Sequence, residues 1–355
     1  MKGKDFLALA STCFLTKQII MLLFLTTWLI ACSDQNQEEA AQFFLKGNLK
    51  LEKKEYADAI RYYDEALLKK PDWIDVLSNR GIAFLEQGNL EKAIQDFNKA
   101  IEIDKEFTTA YFNRAGILIE LGTYEQAVQD LEKIRKTYQD SSNYYLKWGD
   151  LKMKQGYYDQ AIAEYDRAIA TQKNNVQAIV NRGVAYFELQ QFDKAQTDFE
   201  QSLTLDKNQE IAYNNLSLIW AQQGNLSKAT EYINRALDFD PVSPIYLNNK
   251  GYILLLENKL EEGKKLIDQS LQRDAENSYA YRNLGLYHLR KNQKSDALAA
   301  LQKAYTHNPA TAQIHYWLGE ALWQNNQRDA ACKMWQKGSA LGDTTCKEAI
   351  RKNCK

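Results

Sequence analysis

Small residues recur along this chain at an interval of 34 residues, and no other feature of the sequence restricts its fold as much. One series runs Gly47, Gly81, Ala115, Gly149, Gly183, Ser217, Gly251, Gly285 and Gly319. A second runs Ala59, Ala93, Ala127, Ala161, Ala195, Ala229, Gly263, Ala297 and Ala330, slipping by one place at its last member. A third runs Ala66, Ala100, Ile134, Ala168, Ser202, Ala236, Ser270, Ala304 and Gly338. Nine units of equal length therefore fill residues 40–345 without an insertion.

Between the small sites stand large residues at helical spacing, such as Tyr111, Leu118, Tyr124 and Leu131 in the third unit and Tyr145, Trp148, Tyr158 and Tyr165 in the fourth. That spacing gives one apolar stripe per helix. Gly88, Gly122, Gly156, Gly224, Asn258, Asn292 and Asn326 divide each unit in two. These residue types tolerate the left-handed backbone that closes a helix. Pro71, Pro241 and Pro309 fall at unit ends, where a helix must stop. Only 4 prolines occur in 355 residues, with 45% hydrophobic residues, as a folded, helix-rich chain requires. One helix pair cannot cover its own apolar face, so each unit needs its neighbours and stability becomes a sum of interfaces.

This pattern resembles the tetratricopeptide repeat, a 34-residue helix-turn-helix unit. The resemblance implies an all-α, right-handed superhelical solenoid of nine such units over residues 40–345, closed by a capping helix and tail over 343–355. Two departures stand out. Lys46, Arg80, Arg114, Arg182 and Lys250 occupy a place usually held by leucine, and Ile134 replaces a small residue. Ile134 is expected to loosen or shift the contact between the third and fourth units.

The amino-terminal segment differs in kind. Lys2, Lys4 and Lys17 precede an apolar stretch from Ile19 to Ile30, and Ala31-Cys32 follows. The stretch is shorter than the roughly 20 residues a membrane-spanning helix needs, so it reads as a leader. Leu29-Ile30-Ala31-Cys32 resembles a bacterial lipoprotein lipobox. The resemblance implies a signal peptide over 1–31, lipid on Cys32, and a polar tether over 32–39. Localisation at the bacterial cell envelope follows, with the periplasmic and outer-surface faces both open.

At the other end, Cys332 and Cys354 lie on either side of a turn expected near Leu341-Gly342, which brings them close. Either a disulfide, suited to an oxidising compartment, or two thiols packed as small hydrophobes satisfies that placement.

No catalytic chemistry is legible. With 45 basic against 46 acidic residues there is no clustered positive field for nucleic acid. Of the three histidines, His288 and His315 fall at core-facing places and His307 at a unit end. No zinc spacing, phosphate loop or nucleophile motif is present, so neither metal, cofactor nor enzymatic activity is expected.

In tetratricopeptide arrays the first helix of each unit lines the concave face, and the residue two before the small glycine site points into it. Here that place holds Asn79, Asn113, Lys147, Asn181, Asn215, Asn249 and Asn283. A carboxamide both donates and accepts, so a ladder of them suits the backbone of an extended peptide. The alternative is that asparagine is common there in the family and contacts nothing. Tyr252, Tyr279, Arg282, Arg290, Tyr316 and Trp323 make the later units aromatic and basic, which suits an acidic, apolar partner segment. The two-lysine arrangement that clamps a terminal carboxylate in some relatives is missing from the first three units, where Phe44, Asn79 and Thr109 do not supply it. The expected function is a membrane-anchored protein-protein interaction scaffold acting in envelope assembly or secretion. The alternative is a regulatory subunit or ligand-binding component of an envelope enzyme.

Overall fold

The structure, a computed structural model, describes residues 36–354, and these form twenty helices and no strand. The leader and Cys32 lie outside the described residues. The chain divides into two compact bodies at Thr171/Gln172.

The first body holds α1 (36–52), α2 (Tyr56–Lys69), α3 (Ile74–Glu86), α4 (Leu90–Ile103), α5 (Thr108–Glu120), α6 (Tyr124–Lys133), α7 (Arg135–Tyr138), α8 (Ser142–Lys154) and α9 (Tyr158–Thr171). The second holds α10 (Val176–Glu188), α11 (Phe192–Leu205), α12 (Glu210–Gln222), α13 (Leu226–Phe239), α14 (Pro244–Leu256) and α15 (Leu260–Arg273). It continues with α16 (Ser278–Arg290), α17 (Lys294–His307), α18 (Ile314–Gln324), α19 (Arg328–Ala340) and α20 (Thr344–Asn353).

Helices pair in chain order, α3 on α4, α8 on α9, α14 on α15, and each pair packs on the next. The first helices also meet one another, α3 against α5 and α5 against α8 in the first body, and α12, α14, α16 and α18 in succession in the second. The second helices make no such row among the described residues, so the first helices form the inner layer of each body. Turns between paired helices use left-handed residues, among them Gly88 (φ 77°), Gly224 (φ 79°), Asn258 (φ 63°) and Asn292 (φ 56°). Lys54 and Gln190 adopt the same conformation without being glycine or asparagine.

The small series and the large residues are two sides of one contact. A Cβ on Gly81 would sit 2.8 Å from the ring of Phe97, and one on Gly251 would sit 2.7 Å from Ile267. Gly149 faces Tyr165, Gly183 faces Phe199, Gly285 faces Leu301 and Gly319 faces Trp335 in the same way. In each pair the large residue comes sixteen places later, on the second helix, and is wholly buried. Close approach at the bare backbone thus admits a large side chain at interior packing density.

The basic residues that depart from the repeat have a structural role. Arg80 grips Asp96 through Nε and Nη2 at 2.8 and 2.6 Å, and Arg114 grips Asp130 with the same two distances. Arg182 repeats the fork on Asp198. Each aspartate is almost fully buried on the second helix of its own pair. Arg80 also donates to Asp64 and Arg114 to Asn98, on the second helix of the preceding pair, so a single guanidinium staples three helices. Lys46, whose counterpart on the second helix is Tyr62 instead of aspartate, lies over the rings of Phe43 and Tyr62.

Four expectations change. The small site on the second helix of the ninth unit is Ala331, wholly buried and 34 residues after Ala297, so the second series does not slip to Ala330, which is exposed. Ile134 is wholly buried and falls where the second helix of the third unit breaks, so that unit carries α6 and a separate turn, α7, instead of one helix. The bulk that a small residue would have avoided turns the chain, and Tyr138 then stacks on Phe112 at 5.0 Å. Residues 36–39 belong to α1 and not to a tether, because Glu39 is held by Lys69 of α2 at 2.6 Å. The first helix of the ninth unit starts only at Ile314, after Gln313 in the left-handed region and Thr311, whose buried hydroxyl donates to Ser278 at 2.8 Å. The closing helix α20 is capped by Asp343 and turns Cys346 and Ala349 inward.

Candidate functional site

The inner layer of first helices is the surface on which the asparagine series lies, and the two bodies treat that series differently.

In the first body, Asn79 donates to Asn48 at 2.9 Å, and Asn48 also accepts from the Tyr63 hydroxyl at 2.8 Å. Asn113 and Lys147 make no hydrogen bond or ion pair with another described residue. The Lys147 ammonium lies 4.5 Å from the centre of the Phe112 ring and over the bare backbone of Gly116, where a Cβ would come within 2.6 Å of it. Other units fill the place of Gly116 with Ile82, Asp150, Val184, Leu218, Tyr252, Leu286 or Glu320. The missing side chain at Gly116 is thus the room that Lys147 occupies. Burial holds its pKa below the ordinary lysine value, against the opposing pull of Asp150 and Glu120.

In the second body, Asn181 accepts from Gln177 at 2.7 Å, and Asn215 donates to the carbonyl of Ile211 at 2.8 Å. Further on, the amides join. Arg282 donates twice to Asn283, at 3.1 and 2.9 Å, and Asn283 donates to Asn248 at 2.8 Å. Asn248 donates to Asn249 at 3.2 Å, and Asn249 donates to Asn214 at 2.8 Å. Successive amides polarise one another in such a chain. Asn283 is 0% exposed, so it presents nothing to a ligand, contrary to its place in the expected ladder.

Arg282 is corrected for the same reason. It is 9% exposed, donates a further bond to the carbonyl of Ala312 at 3.0 Å, and lies between the rings of Tyr252 and Tyr279, 5.4 and 5.2 Å away. Its role is to terminate the amide chain. Tyr279 is 42% exposed beside it. Tyr316 packs under α20, with its carbonyl accepting from Trp335, and Trp323 packs on Trp335 and beneath Arg328. Both are half-buried.

Tyr252 and Arg290 do line open space. Between α14, α16 and α18 lies a cavity of about 230 Å³. Its walls include Tyr252, Leu286, Leu289 and Trp317, with Arg290 and Glu320 also facing it. Trp317 and Glu320 were not foreseen, although Trp317 stands 34 residues after Asn283 and therefore continues the asparagine column. Arg290 donates to the carbonyl of Leu255 and its side chain is otherwise open to water. A wider cleft of about 550 Å³, lined by Tyr213, Tyr232, Arg235 and Phe239, lies beside α13, away from the asparagine column.

The structure joins Cys332 and Cys354, with Cα atoms 5.8 Å apart, and leaves Cys346 buried as a free thiol whose pKa burial pushes up to about 12. His315 is half-buried beside Tyr305, His288 bonds Gln293 at 2.7 Å, and His307 stacks on Tyr281. No cluster of three metal-ligating residues exists among the described residues. No described helix is long and apolar enough to cross a membrane.

Family models described as "Tetratricopeptide repeat" match residues 74–107, 108–134, 180–244, 248–306 and 282–333, and one described as "TPR repeat" matches 149–190. This chain is a tetratricopeptide-repeat protein. No curated protein matches it in sequence. Among solved structures, it is similar to a chain of the Cut9-Hcn1 hetero-tetramer of the APC/C, with TM-score 0.61, 13% identity, and coverage of 89% of this chain and 76% of that one. It is also similar to human IFIT1, solved as a dimer with m7Gppp-AAAA, with TM-score 0.54, 14% identity, and coverage of 75% and 68%. At such identities the likeness is one of fold. Tetratricopeptide-repeat arrays support interaction with protein partners.

Proposed function

We propose that this protein is a non-catalytic scaffold, held at the membrane of a bacterial envelope by lipid on Cys32, that binds an extended segment of a partner protein along its inner helices. The observation that carries the reading is the pair Asn113 and Lys147. Both stand half-buried on the inner layer with donors and acceptors that nothing in the described chain satisfies. Their polar atoms remain open to water, so a partner's carbonyl or carboxylate would take the place of solvent on these donors, for a net gain of about 0.5–1.5 kcal/mol per hydrogen bond. In the second body, Asn215 and Asn249 retain part of their amide capacity for a contact of the same kind. The lipobox resemblance at residues 29–32 supports the anchor, and the oxidisable pair Cys332 and Cys354 suits the same compartment.

Two experiments test this. Replacing Asn113 by Ala together with Lys147 by Met should weaken capture of the partner about ten-fold or more without lowering the thermal transition. Unchanged capture would remove the binding surface. Growth with a labelled fatty acid should mark the wild type and not Cys32→Ala, and label persisting in the variant would remove the anchor.

A further inference from the structure

The cavity between α14, α16 and α18 has an uneven lining. Leucines from α14 and α16 make its apolar part, and the rings of Tyr252 and Trp317 flank it. Glu320 is the anomaly. In the two preceding units its place is held by Tyr252 and Leu286, and in the first body the one acidic counterpart, Asp150, accepts from the Tyr165 hydroxyl at 2.9 Å. Glu320 has no hydrogen bond or ion pair with another described residue. It is half-buried, and burial pushes its pKa above the usual carboxylate range, with Lys352 pulling weakly the other way. A partly desolvated carboxylate beside apolar side chains is stabilised when a cation meets it.

The remaining features restrict what that cation is. The volume, about 230 Å³, is below the roughly 300 Å³ at which small-molecule pockets begin, so it suits one side chain better than a cofactor. Leucines beside the carboxylate suit the methylene stem of a long basic side chain, which covers apolar surface while its head stays polar. The Tyr252 and Trp317 rings add favourable faces for the same head group. Arg290 already gives one bond to the Leu255 carbonyl. Arg290 and Gln324 share the lining with Glu320, so the entering head group would lie on the Glu320 side of the cavity, away from the guanidinium. Trp317 continues the asparagine column, so a segment following that column would reach the cavity at its end.

We propose that this cavity is the specificity pocket of the second body and receives a lysine or arginine side chain of the partner segment, with the stem on the leucines and the head on Glu320. The proposal rests on the scaffold reading, since the pocket would select among segments bound along the inner helices of the second body. It reverses the sequence-level expectation of an acidic partner for these units. That expectation counted Arg282, which is buried and committed, and overlooked Glu320.

The test uses the full chain labelled with fluorotryptophan, its Trp317 resonance assigned with Trp317→Phe, and three probes: N-acetyl-lysine methylamide and its norleucine and glutamate counterparts. The lysine probe should shift the Trp317 signal saturably and bind about ten-fold tighter than norleucine, as a charge-assisted hydrogen bond provides. Glu320→Gln should abolish that preference while leaving norleucine binding unchanged. Equal binding of lysine and norleucine, tighter binding of glutamate, no binding of any probe, or a lysine preference that survives Glu320→Gln would each overturn the proposal. The scaffold reading is tested separately by Asn113 and Lys147. Partner capture that depends on those two residues while the probes fail would sink the pocket alone. A lysine-selective pocket with capture indifferent to them would sink the scaffold reading alone.

Discussion

In the body that ends at Thr171, the basic residues of the inner helices stand on buried carboxylates, Arg80 on Asp96 and Arg114 on Asp130. In the body that begins at Gln172, this happens once, at Arg182 and Asp198. Its following units carry Leu216, Lys250, Leu284 and Leu318 at that place, and the buried guanidinium moves two positions back, to Arg282. There it meets amides, a carbonyl and two rings, and no carboxylate. The same backbone repeat thus organises buried polarity in two ways. Ion pairs stapling first to second helices predominate in one body, while in the other a longer amide chain joins first helices to each other. The difference has a consequence for binding: the first body leaves Asn113 and Lys147 uncommitted, whereas the second commits most of its amides and leaves an apolar slot beside one unmatched carboxylate.

The largest expected effect comes from breaking a staple. Arg114→Met strands Asp130, 3% exposed, and should cost about 3–5 kcal/mol in chemical denaturation. The conservative change Leu284→Met at the same place in the second body should cost less than about 1.5 kcal/mol. Similar losses at both would mean that the staple is not what distinguishes the bodies.

Next is the amide chain. Asn248→Leu leaves the buried Asn283 amide without its acceptor and should destabilise the second body by about 1–3 kcal/mol. Faster amide exchange should follow in α14 and α16, with α3 and α5 unaffected.

The smallest effect concerns Lys147. Its folded pKa lies below the ordinary value, so the folded chain binds fewer protons than the unfolded chain between the two. Stability therefore rises with pH across that window and levels off above the unfolded pKa, about 10.4. Lys147→Met should be more stable than the wild type at neutral pH, and the gap should close as pH approaches that value. A gap independent of pH would show that packing, and not the buried charge, sets it.

Much of this was legible in the period of 34, which locates the helix pairs, their turns and the small-to-large contacts. The Asp partners were also within reach, since Arg80, Arg114 and Arg182 each precede an aspartate by sixteen residues, the same spacing that joins Gly81 to Phe97. The state of each asparagine was not legible. Whether an amide is tied to a neighbour depends on side chains that the period does not specify: Arg282 and Asn248 hold Asn283, and Asn48 holds Asn79, whereas Asn215 bonds its own helix at Ile211. The extent of α1 was misjudged because Asn36 to Glu39 are polar, and polarity alone does not separate a tether from an exposed helical turn held by a remote lysine.

Site-specific photocrosslinking in intact cells tests most directly whether the inner helices are the binding face. A photoreactive residue at Asn113, on the inner layer, is compared with one at Leu68, 75% exposed on the second helix of its pair. Crosslinks from position 113, mapping to one short extended stretch of a partner and absent from position 68, are the predicted result. Crosslinking of the same partner equally from both positions, or from position 68 alone, would contradict the account.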